Sequence, residues 1–144
     1  MPSPFAPHLT EIKVRGYHLD LYGHVNNARY LEFLEEARWG LTETHGSIQA
    51  FSEAGLAFVI VNININYRRA ALMGEVLVIE TALKKLGSRS GVIHQRVMLK
   101  GSDTVIADAD VTFVLFDTAK GTAISMDEAA RELFATVPVW SAEA

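Results

Sequence analysis

The chain has 144 residues, 49% of them apolar and 21% charged, and a formal net charge of −4 from 13 Lys and Arg against 17 Asp and Glu. That is the size and balance of a single domain spanning 1–144, with no basic field to attract nucleic acid or an anionic membrane. There is no cysteine, which excludes disulfides, thiolate metal sites and cysteine nucleophiles together and fits a reducing compartment.

The opening Met-Pro-Ser-Pro-Phe-Ala-Pro reads as an extended lead-in and lacks the basic-then-apolar pattern of a signal peptide. No apolar run approaches the ~20 residues that span a bilayer, so a cytoplasmic protein without membrane insertion is expected. Leu9 to Arg15 alternates imperfectly and suggests a first strand. Between Gly16 and Gly23 the chain is irregular. Tyr30, Phe33, Leu34, Ala37 and Leu41 then recur at helical spacing, predicting a helix over 27–44. Asn26 or Asn27 can cap its start. Gly40 and Gly46 are stop signals, with Gly40 in the last turn as the alternative. The opposite face carries Arg29, Glu32 and Glu36 but also Trp39. A tryptophan there suits a helix wrapped by a sheet or meeting a second subunit.

Residues 47–54 suggest a short helix, after which the chain turns strand-rich. Phe58 to Arg68 alternates strictly, with Val59, Val61, Ile63, Ile65 and Tyr67 on one face and Asn62, Asn64 and Asn66 on the other. Strands over 76–86, 92–100 and 105–116 follow, separated by glycine-containing turns. Short turns imply antiparallel hairpins, hence a four-stranded meander. Met126 to Thr136 reads as a closing helix with Asp127 in its first turn. A sheet with a wide apolar face must cover it, and the long helix is the element available. The expected fold class is α+β, a curved antiparallel sheet wrapped around one central helix.

Asp20-x-x-Gly23-His24-Val25-Asn26-Asn27 leading into Tyr30-x-x-Phe33-x-x-Glu36-Ala37-Arg38 resembles the hotdog-fold thioesterases of the 4-hydroxybenzoyl-CoA thioesterase type. Arg15 to Asp20, the helix through Trp39, and Val61 to Arg69 are similar to the bacterial long-chain acyl-CoA thioesterases within that family. The likeness runs from about residue 11 to residue 117. It is specific in the first half and one of pattern in the second. Ala70 stands where the family often has proline, which bears on turn geometry only. The resemblance implies a hotdog fold and a homodimer or homotetramer with active sites at the subunit interface. It also implies an acyl-CoA substrate lying along the surface, a preference for long acyl chains, and no cofactor.

Thioester hydrolysis needs a carboxylate to attack the carbonyl or activate water, and donors for the oxyanion that develops. Asp20 precedes the helix start by six or seven residues, so a turn can fold it toward the first exposed N–H groups. By resemblance the oxyanion donor is the backbone N–H of Asn27. A plainer reading makes Asp20 a turn or capping aspartate, and composition alone favours it; the whole motif reverses that preference. His24 could orient Asp20 or hold a water, against a locally bonded turn histidine. Asp20, Asn27 and His24 are therefore the expected catalytic residues. Tyr30, Glu36, Arg68 and Arg89 are the expected substrate-binding residues, the two arginines as partners for CoA phosphates. His18, Asp20 and His24 are irregularly spaced for a metal site, and no metal is expected. The Asn62, Asn64, Asn66 ladder suits contact with another subunit.

The chain has no G-x-S-x-G, no G-x-x-x-x-G-K-[ST] and no G-x-G-x-x-G, so serine hydrolysis, nucleotide hydrolysis and dinucleotide binding lack support. Two rival readings remain. A hotdog hydratase or dehydratase places Asp and His one residue further apart around Asn-Pro, which Asp20-Leu-Tyr-Gly-His24 lacks. A non-catalytic acyl-CoA binding module would keep the pocket without the chemistry.

Overall fold

One antiparallel sheet curls around a helix in the computed structural model, which describes residues 6–46 and 48–141. Most of the proline-rich lead-in, residues 1–5, and Ser47 lie outside the described residues. The elements in order are β1 (His8–Lys13), α1 (Asn27–Thr44), α2 (Ile48–Glu53), β2 (Leu56–Tyr67), β3 (Val76–Leu86), β4 (Gly91–Leu99), β5 (Val105–Asp117), β6 (Thr122–Ala123) and α3 (Glu128–Glu132). A 3₁₀ turn at Gly16–His18 lies between β1 and α1. The sheet runs β1-β3-β4-β5-β2, and β6 pairs with the end of β5. No helix among the described residues is long and apolar enough to cross a membrane.

The helix forms where the periodicity places it. Asn26 caps it, its side chain accepting from the Ala28 N–H at 2.9 Å, and Tyr30, Phe33, Leu34, Ala37 and Leu41 are its buried stripe. Gly40 does not stop it. A Cβ at that position would lie 2.8 Å from His8 Nε2, so the missing side chain lets β1 approach the helix. Beneath the helix the fully buried Gln95 donates to the Leu34 carbonyl at 2.9 Å and to Thr81 Oγ1 at 3.1 Å, and accepts from Arg38 at 3.0 Å. These bonds fix α1 to the sheet through polar atoms that would be costly to bury unpaired.

Three expectations are corrected. The meander holds for β3, β4 and β5, but β2 pairs with β5 rather than β3. Residues 68–75 are too long for a tight hairpin turn, so the chain crosses the ends of β5 and β4 before entering β3. The strict alternation in β2 is broken by a register shift between Ile60 and Asn62. That bulge, at Val61, re-aims the strand. Phe58 and Ile60, opposite Leu115 and Phe113, join Ile63, Ile65 and Tyr67 on the inner face, whereas Val59 faces outward opposite Val114. The closing helix shrinks to Glu128–Glu132, with Asp127 as its N-cap rather than in its first turn, accepting from Ala130 N at 2.8 Å. Phe134 then turns inward against Phe51, Phe58 and Phe113, with ring centroids 5.3, 5.8 and 5.6 Å away. This phenylalanine cluster plugs one end of the curled sheet; the site lies at the other.

Candidate active site

The turn ahead of α1 is built from Asp20. Its backbone N–H donates to the His24 carbonyl at 2.7 Å, and its carbonyl accepts from Gly23 N at 3.2 Å. Gly23 takes φ +77°, a left-handed conformation that suits glycine. Asp20 Oδ1 accepts from the N–H groups of Tyr22 at 2.8 Å and His24 at 3.2 Å. One carboxylate oxygen therefore does what a turn aspartate does. The other, Oδ2, has no hydrogen-bond or ion-pair partner among the described residues.

Downstream of the turn, Asn26 N donates to the His18 carbonyl at 2.9 Å and Val25 N to the Ala71 carbonyl at 3.0 Å. His18 Nδ1 accepts from Arg15 N at 2.8 Å. Its pKa is lowered, first by burial and then by the Arg29 charge, so the imidazole is held neutral as an acceptor. The Asn27 N–H occupies the first helical position, where no intrahelical partner exists. It finds no acceptor among the described residues.

The crossing segment 68–75 forms the facing wall. Arg68 and Arg69 both donate their N–H groups to the Ile106 carbonyl, at 2.8 and 3.1 Å. Arg69 forks onto Glu75 at 2.7 and 3.0 Å, and Glu75 also accepts from Leu72 N at 2.7 Å. The Arg69 fork holds the Glu75 carboxyl below its ordinary range. The Tyr30 hydroxyl accepts from Ala71 N at 3.2 Å, and burial pushes its pKa up. Leu72 pairs with His24 as an isolated antiparallel bridge.

Between these walls is an open cleft of about 340 Å³ lined by Asp20, His24, Val25, Asn27, Tyr30, Tyr67, Arg68, Arg69 and Ala70. The fold thus brings together five of the seven residues expected from the sequence. His24 contributes its backbone to the turn and its exposed side chain to the rim. Arg68 reaches the rim with its guanidinium forked on Asp108, at 2.7 and 3.4 Å, so its charge is already matched. Two expected residues lie away from this cleft in the single chain. Glu36 is exposed on α1, nine residues beyond Asn27 and so about 13 Å further along the helix axis. Arg89 is exposed in the β3–β4 turn, at the opposite end of the sheet, a strand's length or roughly 30 Å away. Neither lines the cleft. Sequence reasoning passed over Tyr67 and Arg69 as site residues. The signal for Tyr67 was an aromatic ending an inward-facing strand beside the crossing. No group of three metal-ligating side chains occurs among the described residues.

Comparisons with known proteins place this geometry. A family model described as the thioesterase-like superfamily matches residues 14–134. The long-chain acyl-CoA thioesterase FadM of Escherichia coli K12 is 50% identical over 123 residues, covering 85% of this chain and 93% of that protein. The acyl-CoA thioester hydrolase YbgC of E. coli O6:H1 is 32% identical over 102 residues, 70% of this chain and 75% of its own. The crystal structure of the probable thioesterase YbaW from E. coli superposes with a TM-score of 0.87 at 47% identity, covering 91% of this chain and 98% of that one. With its curled antiparallel sheet around one long helix, the chain has the hotdog fold and belongs to the thioesterase-like superfamily.

Proposed function

We propose that this protein is an acyl-CoA thioesterase that hydrolyses fatty acyl-CoA, long-chain substrates preferred, to the free acid and CoA. The observation that carries the reading is that one cleft is lined both by Asp20, whose Oδ2 has no partner among the described residues, and by Asn27, whose helix-terminal N–H has no acceptor among them. The thioester carbonyl oxygen would accept from Asn27 N–H as negative charge develops on it. Ionised Asp20 would either attack the carbonyl carbon, giving a mixed anhydride that water then opens, or take a proton from the attacking water. In both routes the C–S bond breaks, the sulfur leaves as thiolate and is protonated, and water supplies the acid's second oxygen. Likeness to FadM supports the acyl-CoA class and the chain-length preference.

Asp20→Asn tests the chemistry. It keeps an oxygen that can accept the turn's N–H bonds while removing the charge. Thiol release from a chain-length series of acyl-CoAs should fall by at least on the order of 10²-fold in kcat, with acyl-CoA binding retained. Equal turnover by both proteins would overturn the mechanism. Absence of turnover by the native protein with every chain length would favour a binding module, and hydration of an enoyl thioester without thiol release would favour a hydratase.

We also infer that the protein works as a homo-oligomer. Support comes from β2, an edge strand with Val59, Ile60 and Val61 exposed.

A further inference from the structure

Tyr67, the last residue of β2, is only about half covered, at 48% exposure, yet its hydroxyl is not left to solvent. It donates to the main-chain carbonyl of Asn27 at 3.0 Å, across 40 residues of sequence. Two features bring it there. The bulge at Val61 puts Tyr67 on the inner face, and its cross-strand neighbour is Ala107, whose small side chain leaves the ring room to lean over the start of α1. The ring then packs edge-on against Tyr30, with centroids 5.4 Å apart, and Tyr30 is itself tied to Ala71.

The first turn of a helix is where the backbone is least constrained, because its N–H groups lack intrahelical partners. Here that turn is held from three directions. Asn26 N is bonded to His18, the Asn26 side chain caps Ala28 N, and the Asn27 carbonyl is held by Tyr67. The peptide between Asn26 and Asn27, whose N–H has no acceptor among the described residues, lies inside this frame. A donor of this kind helps catalysis to the extent that it is already aimed before charge develops.

We propose that Tyr67 is a positioning residue, its hydroxyl fixing the first turn of α1 so that the Asn27 N–H points at the reacting carbonyl. The inference rests on the acyl-thioester reading above. It extends the site to the end of β2 and couples the sheet bulge to the chemistry.

The test is Tyr67→Phe, which keeps the ring against Tyr30 and removes one oxygen. Displacing a preorganised donor without deleting it should lower kcat by about ten-fold. KM should stay within two-fold and the thermal midpoint within a few degrees. Because the carbonyl is common to every substrate, the fall in kcat should be the same for short and long acyl-CoAs. The backbone ¹⁵N resonance of Ala28, which shares a peptide unit with the Asn27 carbonyl, should shift. Unchanged kcat overturns the inference. So does a rise in KM that grows with acyl length, which would make Tyr67 a wall of the acyl channel. So does a loss of activity matched by loss of fold in the same spectrum, which would make the bond merely structural. If the native protein turns over no acyl-CoA, the thioesterase reading itself fails, and that result is distinct from an active native enzyme with an equally active Tyr67→Phe.

Discussion

Asp20 divides its work between two oxygens. Oδ1 holds the turn through Tyr22 and His24, which restrains the carboxylate and leaves Oδ2 without a partner among the described residues, in a residue that lines the cleft. The plainer reading of Asp20 and the catalytic one are therefore compatible, because a turn bond orients the group that the chemistry needs. Glu75 plays a related part at the facing wall. Its fork with Arg69 and its bond from Leu72 N fold the segment that presents Ala71 to Val25 and Tyr30. Glu75→Gln keeps the size and loses the ion pair, and kcat should fall by an amount on the order of ten-fold or less. The sign with pH follows from the lowered pKa of Glu75, caused first by Arg69. Stabilisation by a depressed carboxylate is present above its unfolded pKa and is lost as pH falls through its folded one. Native protein should thus be more stable to urea than Glu75→Gln at neutral pH, with the gap closing in acid below the ordinary glutamate range. A gap that widened in acid would show that the fork does not hold the wall.

Among the elements, the strands far from the cleft are set by close packing. Gly91 opens β4, and a Cβ there would lie 2.3 Å from Phe113 Cζ, inside the phenylalanine cluster that plugs that end. Gly91→Ala should cost about 1–3 kcal/mol through overpacking, read as a lowered urea midpoint with kcat per folded molecule unchanged. The helix was legible in the sequence because its buried stripe and its Asn26 cap are local, and it runs over the residues the periodicity names. The β2 alternation misled for an equally physical reason. A bulge leaves the residue types alternating while shifting the register, and only Phe113 and Thr112 across the ladder reveal that Val61 is extra. Adjacency in sequence likewise suggested a β2–β3 hairpin, whereas the long 68–75 connection lets β2 pair with β5. Of the expected site residues, those in the turn and the first helical turn sit together because the chain itself holds them close. Arg89 lies apart from them within one chain, because a basic residue at a strand end carries no information about which end of the sheet it occupies.

At the scale of the whole molecule, the two edges of the sheet are unlike. β1 is six residues long and carries Glu11 and Lys13, with Glu11 paired to Lys100 at 2.6 Å. β2 is twelve residues long and has neither lysine nor proline in it. Short, charged edges resist pairing, and long apolar ones invite it. Val61, 55% exposed at the bulge, sits in the middle of the inviting edge. A two-fold axis beside β2 would set the strand antiparallel to its own copy, closing the edge with one self-complementary patch. Val61→Lys should then oppose association directly, since it places two lysines near the axis, while the pairing of β2 with β5 inside the subunit is undisturbed. Sedimentation equilibrium at micromolar concentration should give a multiple of the chain mass for the native protein and a shift toward a single chain for Val61→Lys. Circular dichroism should be unchanged. A native protein that sediments as one chain would refute the interface. An oligomer that survives Val61→Lys with unaltered affinity would refute β2 as its seat.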